Sequence, residues 1–150
     1  METLLISLKR QHCNNIFNGK KTIELRKRCP RFYSTTMGKI FPQFTKIMIY
    51  ETTIHKIIGT VEAGEIITRF KDEWSEDEIS SLCIIKDEIA SYQGDRKGVG
   101  IKISNPKKFN TPIPIRVMIS NFGIRPPQQF KYLDNETTKR LISYGENGLQ

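Results

Sequence analysis

The stretch that decides the fold runs from residue 16 to residue 28 and reads Ile-Phe-Asn-Gly-Lys-Lys-Thr-Ile-Glu-Leu-Arg-Lys-Arg. Its first part continues an apolar i, i+3, i+4 spacing that begins at Cys13, which predicts a helix over 10–18 that ends at Gly19. Its second part alternates: Ile23 and Leu25 share one face, and polar side chains occupy the other. This alternation predicts a half-buried strand over 21–28. Its polar face consists of Thr22, Glu24, Arg26 and Arg28.

The flanking sequence adds further strands and helices in a mixed order. The apolar run at 4–8 predicts a buried strand, and Ser75 with Glu78 forms the capping-box pattern that opens a short acidic helix. Alternating apolar residues predict strands over 46–52, 56–67 (with a bulge at Gly64) and 98–104, and an edge strand or a helical turn over 116–119. Helices are predicted over 86–93 and 135–144. Residues 29–45 are predicted to form a long, functional loop.

Length and composition favour one intracellular domain. The chain has 150 residues, of which 37% are hydrophobic and 27% charged, so it is neither disordered nor fibrous. Its longest apolar runs, Ile47–Tyr50 and Leu82–Ile85, are far shorter than the roughly 20 residues of a membrane span. Because the start also lacks a signal-peptide pattern, we expect a soluble, cytoplasmic protein with no membrane partner. The fold class predicted is α+β, a small, mixed and strongly curved β-barrel with flanking helices, with a domain over 1–133 and a C-terminal helix and frayed tail over 134–150.

The cysteine and histidine content argues against a metal site. Three widely spaced cysteines, Cys13, Cys29 and Cys83, form no Cys-x-x-Cys pair, and the chain has only two histidines. Zinc sites need clustered thiolates and imidazoles, so we expect free thiols, no metal and no cofactor.

Charge is segregated along the chain. Residues 9–31 hold eight basic side chains and one acidic one, and residues 96–116 hold six basic and none acidic. Residues 62–95 hold ten acidic side chains and three basic ones. If the basic segments meet in space, they form a face that attracts phosphate backbones; the alternative is a merely solvated lysine surface. The acidic segment 62–95 is a possible contact for a protein partner.

The polar face of the predicted strand over 21–28 could recognise a nucleotide. Glu24 and Arg26 lie about 7 Å apart on one strand face, given a rise of about 3.3 Å per residue. Arg26 offers a planar fork of donors for a phosphate or a base edge, and Glu24 can accept from an exocyclic amine. Lys9 and Lys21 add point charges. The alternative is an ion pair that only solvates the strand.

Aromatic side chains follow directly in the 29–45 segment and could stack on unpaired bases. Stacking of this kind suits single-stranded RNA or a flipped base. The alternative is that these rings fold back onto the core. The four rings are Phe32, Tyr33, Phe41 and Phe44.

Together with residues 5–9, the 16–28 stretch resembles the N-terminal signature of ASCH (activating signal cointegrator homology) domains of the PUA-like superfamily. Residues 49–52, 61–67 and 98–103 agree with the later motifs of that family, and 122–133 resembles the closing motif of its small prokaryotic and phage members. The resemblance implies a β-barrel with flanking helices and a cleft that binds RNA or a nucleotide. It favours a non-catalytic, regulatory binding domain whose partner is RNA, a nucleotide or a nucleoside.

Some small members of that family are enzymes, which leaves a hydrolase as the alternative. In the family that the chain resembles, the amidohydrolases that act on N4-acetylcytidine use a lysine, a threonine three residues later and a distal glutamate. The resemblance implies where these three positions fall in this chain. Here Lys21 stands at the lysine position, but Glu24 replaces the threonine, and Glu62 or Glu65 would be the distal acid. A metal-independent ribonuclease is the other enzymatic alternative. The candidate catalytic residues are therefore Lys21 and Glu24, and the candidate ligand-binding residues are Lys9, Lys21, Thr22, Glu24, Arg26, Arg28, Tyr50 and Arg125.

Overall fold

The computed structural model describes residues 3–31 and 33–148, which form eight strands and five helices. In chain order they are β1 (Thr3–Leu8), α1 (Arg10–Phe17), β2 (Ile23–Arg26), β3 (Tyr33–Thr36), β4 (Lys39–Pro42), β5 (Lys46–Glu51), β6 (Lys56–Arg69), α2 (Glu76–Leu82), α3 (Lys86–Gln93), β7 (Gly98–Pro114), α4 (Ile115–Phe122), β8 (Phe130–Leu133) and α5 (Asn135–Asn147).

The sheet has the order β2-β7-β6-β5-β1-β8 and curls into a half-barrel, which confirms the predicted α+β class. β1 pairs with β5 in parallel, whereas the other pairs along this order are antiparallel, so the sheet is mixed. β4 joins the side of the sheet through Ile40 and Ile66. The outermost strands of the order, β2 and β8, therefore border the open side of the half-barrel.

Apolar side chains cover both faces of the sheet. In β1, Leu4 and Ile6 pack into the cluster beneath α1, while Leu5 packs on the opposite side with residues of α4 and α5. A third cluster joins β2 to α2 and α3 around Trp74. The strand at 4–8 was thus correctly predicted to be buried, because its apolar residues alternate toward two cores.

The predicted long loop over 29–45 is wrong for most of its length. It contains the antiparallel hairpin of β3 and β4, whose two turn residues, Met37 and Gly38, both have positive φ. Two positive φ values fit the twist of a two-residue hairpin turn, but methionine at the first position gives no signal for one. Phe32 lies outside the described residues.

β7 is much longer than the predicted strand over 98–104, because prolines do not end it. Pro106 falls between the pairs Glu62–Ser104 and Thr60–Lys107, where the register shifts. Pro112 falls in the next shift, between the pairs that Lys108 and Ile113 make. A β-bulge releases a residue from the ladder, so a missing N–H costs nothing there. Of the two alternatives for 116–119, the structure has a helix, α4.

Helix α5 lies beyond the predicted boundary at residue 133 and packs against β7. Its Leu141 is fully buried, and Gly145 contacts the ring of Phe109 so closely that a Cβ would overlap it. The division at residue 133 stays a prediction.

Candidate nucleotide-binding cleft

A cleft of about 370 Å³ opens at the open side of the half-barrel, where β2 faces the end of β1. The side chain of Arg26 in β2 donates to the carbonyl of Gln129, so one hydrogen bond joins β2 to the loop that leads into β8. Ser7 Oγ donates to the carbonyl of Pro127 at 2.7 Å and holds the same loop against β1. Strands β1 and β2, helices α1 and α3, the residues next to them and this loop all contribute to the wall of the cleft. The lining residues are Ser7, Leu8, Lys9, His12, Glu24, Leu25, Arg26, Ile84, Glu88, Tyr92, Gln128 and Gln129.

Three charged side chains of the 21–26 segment are buried together beside the cleft. Arg26 donates from its NH1 group to Glu24 Oε2 at 3.1 Å, and Lys21 Nζ lies 3.6 Å from Glu24 Oε1. Their side chains are 7%, 0% and 4% exposed for Arg26, Lys21 and Glu24. All four residues of β2 are buried, so the prediction of a half-buried strand is wrong, and so is the alternative of an ion pair that only solvates the strand. The sheet pairs β2 with β7, and helices α2 and α3 cover it.

Lys21 lies behind the cleft and does not line it. Its ammonium group donates to the carbonyl of Leu82 at the end of α2, and Glu24 is its ionic partner. Burial lowers the pKa of Lys21, and the negative charge of Glu24 opposes that shift. Lys21 therefore ties the start of β2 to α2 and sets the position of the Glu24 carboxylate.

His12 lines the cleft from α1. Burial lowers its pKa, and the nearby charge of Lys21 lowers it further. Its Nδ1 atom is buried and has no hydrogen-bond partner among residues 3–31 and 33–148. Arg26 Nε is likewise a buried donor for which the described part of the chain offers no acceptor. Two nitrogen atoms on residues of the cleft wall therefore lack hydrogen-bond partners within the described part of the chain.

Tyr92 of α3 forms part of the cleft wall and is 36% exposed. Lys27 Nζ lies 4.9 Å from the centre of its ring, a cation–π distance. Burial raises the pKa of the Tyr92 phenol. A half-exposed ring that a neighbouring cation holds in place is suited to stack on a planar ligand.

The solved structures that resemble this chain share its fold over nearly the whole length. A crystal structure of ASCH from Zymomonas mobilis has a TM-score of 0.78 and 24% identity, covering 94% of each chain. Two point mutants of the same protein give TM-scores of 0.79 and 0.77 at 22% identity, with 94–98% of each chain covered. The chain has the fold of an ASCH domain. No protein-family model and no curated protein matches it.

The ASCH fold brings together part of the predicted ligand-binding set. Lys9, Glu24 and Arg26 line the cleft, with Lys9 exposed at its rim. The other predicted residues do not line it: Lys21 is buried behind it, Thr22 and Arg28 are exposed beside β2, Tyr50 is buried with the opposite cluster around Leu5, and Arg125 is exposed in the loop before β8.

Several lining residues of this ASCH fold were not predicted. His12 and Tyr92 carry no local signal, since each stands on a helix face that sequence alone does not orient. Gln128 and Gln129 fall inside the closing motif at 122–133, but the resemblance of that motif assigns them no role. Of the aromatic rings considered for stacking, Phe44 is buried in the core, whereas Tyr33 and Phe41 stand on the hairpin at 47% and 36% exposure.

The acidic segment 62–95 uses several of its carboxylates within the ASCH fold. Glu65 pairs with Lys102 at 2.8 Å, and Glu78 pairs with Arg69 at 3.1 Å. Its role as a contact for a protein partner stays a prediction. Within residues 3–31 and 33–148, no group of three potential ligands is arranged for a metal ion, and no helix has the length and apolarity to cross a membrane.

Proposed function

We propose that this domain binds an unpaired nucleotide of RNA, or a free nucleotide or nucleoside, with the base inside the cleft. The observation that carries the proposal is the Glu24–Arg26 pair, a carboxylate and a guanidinium held side by side in the wall of a cavity of about 370 Å³. Ligand pockets of roughly 300–1,000 Å³ hold small molecules, and a few fixed polar groups orient the ligand inside them. A nucleobase presents donors and acceptors at matching spacing along one edge.

The chemistry of the pair favours a base with an amine beside an acceptor, as in cytosine. Glu24 can accept from the exocyclic amine, since acidic side chains pair with the N4 amine of cytosine in nucleic-acid complexes. The Arg26 guanidinium has five donors, and two groups of the protein accept from it in the structure, so further donors serve the adjacent ring nitrogen or carbonyl. Uracil carries a carbonyl oxygen where cytosine carries the amine, so it would place an acceptor against the Glu24 carboxylate, which is also an acceptor.

The rim supports the same proposal through stacking and charge. Tyr92 offers a ring face to a base, and such stacking contributes about 1–3 kcal/mol per base. Lys9 also lines the cleft and is exposed, so its charge can meet a phosphate.

The position of Lys21 supports binding without catalysis over the hydrolase alternative. A lysine that assists proton removal must reach the substrate, but this one is fully buried, donates to the Leu82 carbonyl and pairs with Glu24. Glu24 itself stands where the amidohydrolases of the family carry threonine, so the hydroxyl nucleophile is missing at that position.

Titration calorimetry with cytidine, uridine and a short single-stranded RNA tests the proposal. We expect cytidine to bind at least about five-fold more tightly than uridine, the lower end of the discrimination that one bidentate contact gives. Tyr92→Ala should weaken cytidine binding by about five-fold or more through lost stacking. The control, Tyr33→Ala, removes an exposed ring on the hairpin and should leave affinity unchanged.

The opposite pattern, with Tyr33→Ala harmful and Tyr92→Ala neutral, would assign the ligand to the hairpin and reject the cleft. Incubation of the wild-type protein with N4-acetylcytidine and with single-stranded RNA tests the absence of catalysis. Formation of cytidine or of RNA fragments, abolished by Glu24→Gln in a variant that remains folded, would establish the hydrolase instead.

A further inference from the structure

A second recess lies beyond Tyr92 and shares that side chain with the cleft. It has a volume of about 260 Å³ and is lined by Lys27, Tyr92, Gln93, Arg96 and Lys97. Three of its five lining residues are cations, and none is acidic. Tyr92 therefore borders both the cavity with the Glu24–Arg26 pair and a recess of positive charge.

The strand pairing explains why these cations meet. β2 and β7 are antiparallel, and Arg26 pairs with Val99. Lys27, directly after β2, therefore comes beside the residues that precede β7, which include Arg96 and Lys97. The recess is a product of the sheet, because its cations come from segments far apart in the sequence.

The turn that carries Arg96 and Lys97 is fixed by a buried amide. Gln93 Nε2 donates to the carbonyl of Arg96 at 2.9 Å and to that of Arg69 at 2.8 Å, while its Oε1 accepts from the Trp74 indole at 2.9 Å. Gly98 lies so close to the Gln93 side chain that a Cβ would overlap it. The backbone under the two cations is thereby held in one conformation.

The charges of the recess are available to an anion. No ion pair within residues 3–31 and 33–148 joins Lys27, Arg96 or Lys97 to a carboxylate. The neighbouring Asp95 pairs with Lys71 instead, and its side chain is 99% exposed. Lys97 Nζ lies 5.2 Å from the ring centre of Phe70, which is 46% exposed and adds a second aromatic face at this site.

We propose that this recess binds the phosphate of a nucleotide that continues the strand whose base occupies the cleft. The inference rests on the function proposed above and narrows its ligand: a single-stranded oligonucleotide is preferred over a free nucleoside. Tyr92 lines both sites, so a base in the cleft and a phosphate in the recess would flank the same side chain. Phosphate contacts position a strand without reading its sequence, and aromatic faces beside them suit unpaired bases.

Affinities for cytidine, cytidine 5′-monophosphate and a cytidine tetranucleotide, measured against salt concentration, test this inference. The variant is R96Q/K97Q, and the control is R116Q/K139Q, which removes the same two charges at exposed positions of α4 and α5. For a single strand, each phosphate contact contributes about 0.7 to the slope of log affinity against log salt, or about 2.6-fold between roughly 50 and 200 mM. For the tetranucleotide, we expect R96Q/K97Q to reduce the slope of log affinity against log salt by at least about 0.7. The control should have the same slope as the wild-type protein.

Each other outcome is informative. If cytidine binds but the tetranucleotide binds no more tightly, or if R96Q/K97Q matches the control, the phosphate site is refuted while the cleft proposal stands. If the monophosphate equals the tetranucleotide and both respond to R96Q/K97Q, the recess takes the terminal phosphate of a free nucleotide, and the preference for a strand is refuted. If none of the three probes binds, the cleft proposal itself fails. Lys27→Gln supplies a second variant on the other side of the recess.

Discussion

Replacing Glu24 by glutamine should destabilise the protein strongly, because it removes the only anion from a buried group of three charges. The carboxylate lies 3.1 Å from the Arg26 guanidinium and 3.6 Å from Lys21 Nζ. At an effective dielectric constant of about 20, each contact provides about 5 kcal/mol of attraction, which offsets part of the cost of burying the ions. Because glutamine carries no charge, the Lys21 and Arg26 cations would remain buried near each other with no anion between them.

The expected loss is about 3–5 kcal/mol in the free energy of unfolding, the range for breaking a buried ion pair from one side. Urea denaturation followed by circular dichroism measures it, with the slope of the transition checked for two-state behaviour. The matched control is Glu65→Gln, the same chemical change in a pair with Lys102 whose side chains are 20% and 50% exposed. A surface pair of this kind should contribute no more than about 1 kcal/mol.

A second variant separates charge from lost packing. Lys21→Met combined with Glu24→Gln restores the net charge of the buried group, so the double variant should recover about 0.5–3 kcal/mol relative to the sum of the single changes. The reasoning is refuted if Glu24→Gln costs no more than Glu65→Gln, or if the two single changes are additive. Either result would mean that the 21–26 segment is solvated in solution.

Three further predictions concern other parts of the fold. Burial lowers the pKa of His12, so below about pH 6.5 the unfolded chain binds a proton at this residue more readily than the folded chain does. The free energy of unfolding should therefore fall as the pH drops below about 6.5, and it should fall less in His12→Gln. Midpoints of urea unfolding measured against pH test this. Glu78→Ala breaks the capping box of α2 and should cost about 1 kcal/mol in thermal or urea unfolding, whereas Glu76→Ala in the same turn should cost less. Gly145→Ala forces a methyl group into the ring of Phe109 and should cost about 1–3 kcal/mol; an unchanged melting temperature would show that α5 is not packed on β7.

Local patterns in the sequence were sufficient for the elements whose signals are local. The helix before Gly19 ends where predicted because Gly19 adopts a φ of +83°, which glycine tolerates. The capping box of Ser75 and Glu78 is formed in both directions, and α3 ends before Gly94 as expected. These features depend on side chains within four residues of one another.

The hairpin and the long β7 strand were missed because their decisive contacts are not local. Met37 adopts a positive φ that its side chain disfavours, which the pairing of β3 with β4 stabilises. Pro106 and Pro112 read as strand breakers, but the register shifts against β6 accommodate them.

The sequence by itself determined that Glu24 and Arg26 share one face of a strand, since a period of two follows from strand geometry. It did not determine what that face meets. Only the curled sheet brings β2 to the loop before β8, where Arg26 reaches the Gln129 carbonyl, 103 residues away along the chain. The same closure adds His12 and Tyr92 from two helices and turns a row of polar side chains into the wall of a cleft. Alternation fixes the direction of a side chain relative to its own strand, whereas burial depends on which distant segments cover that strand.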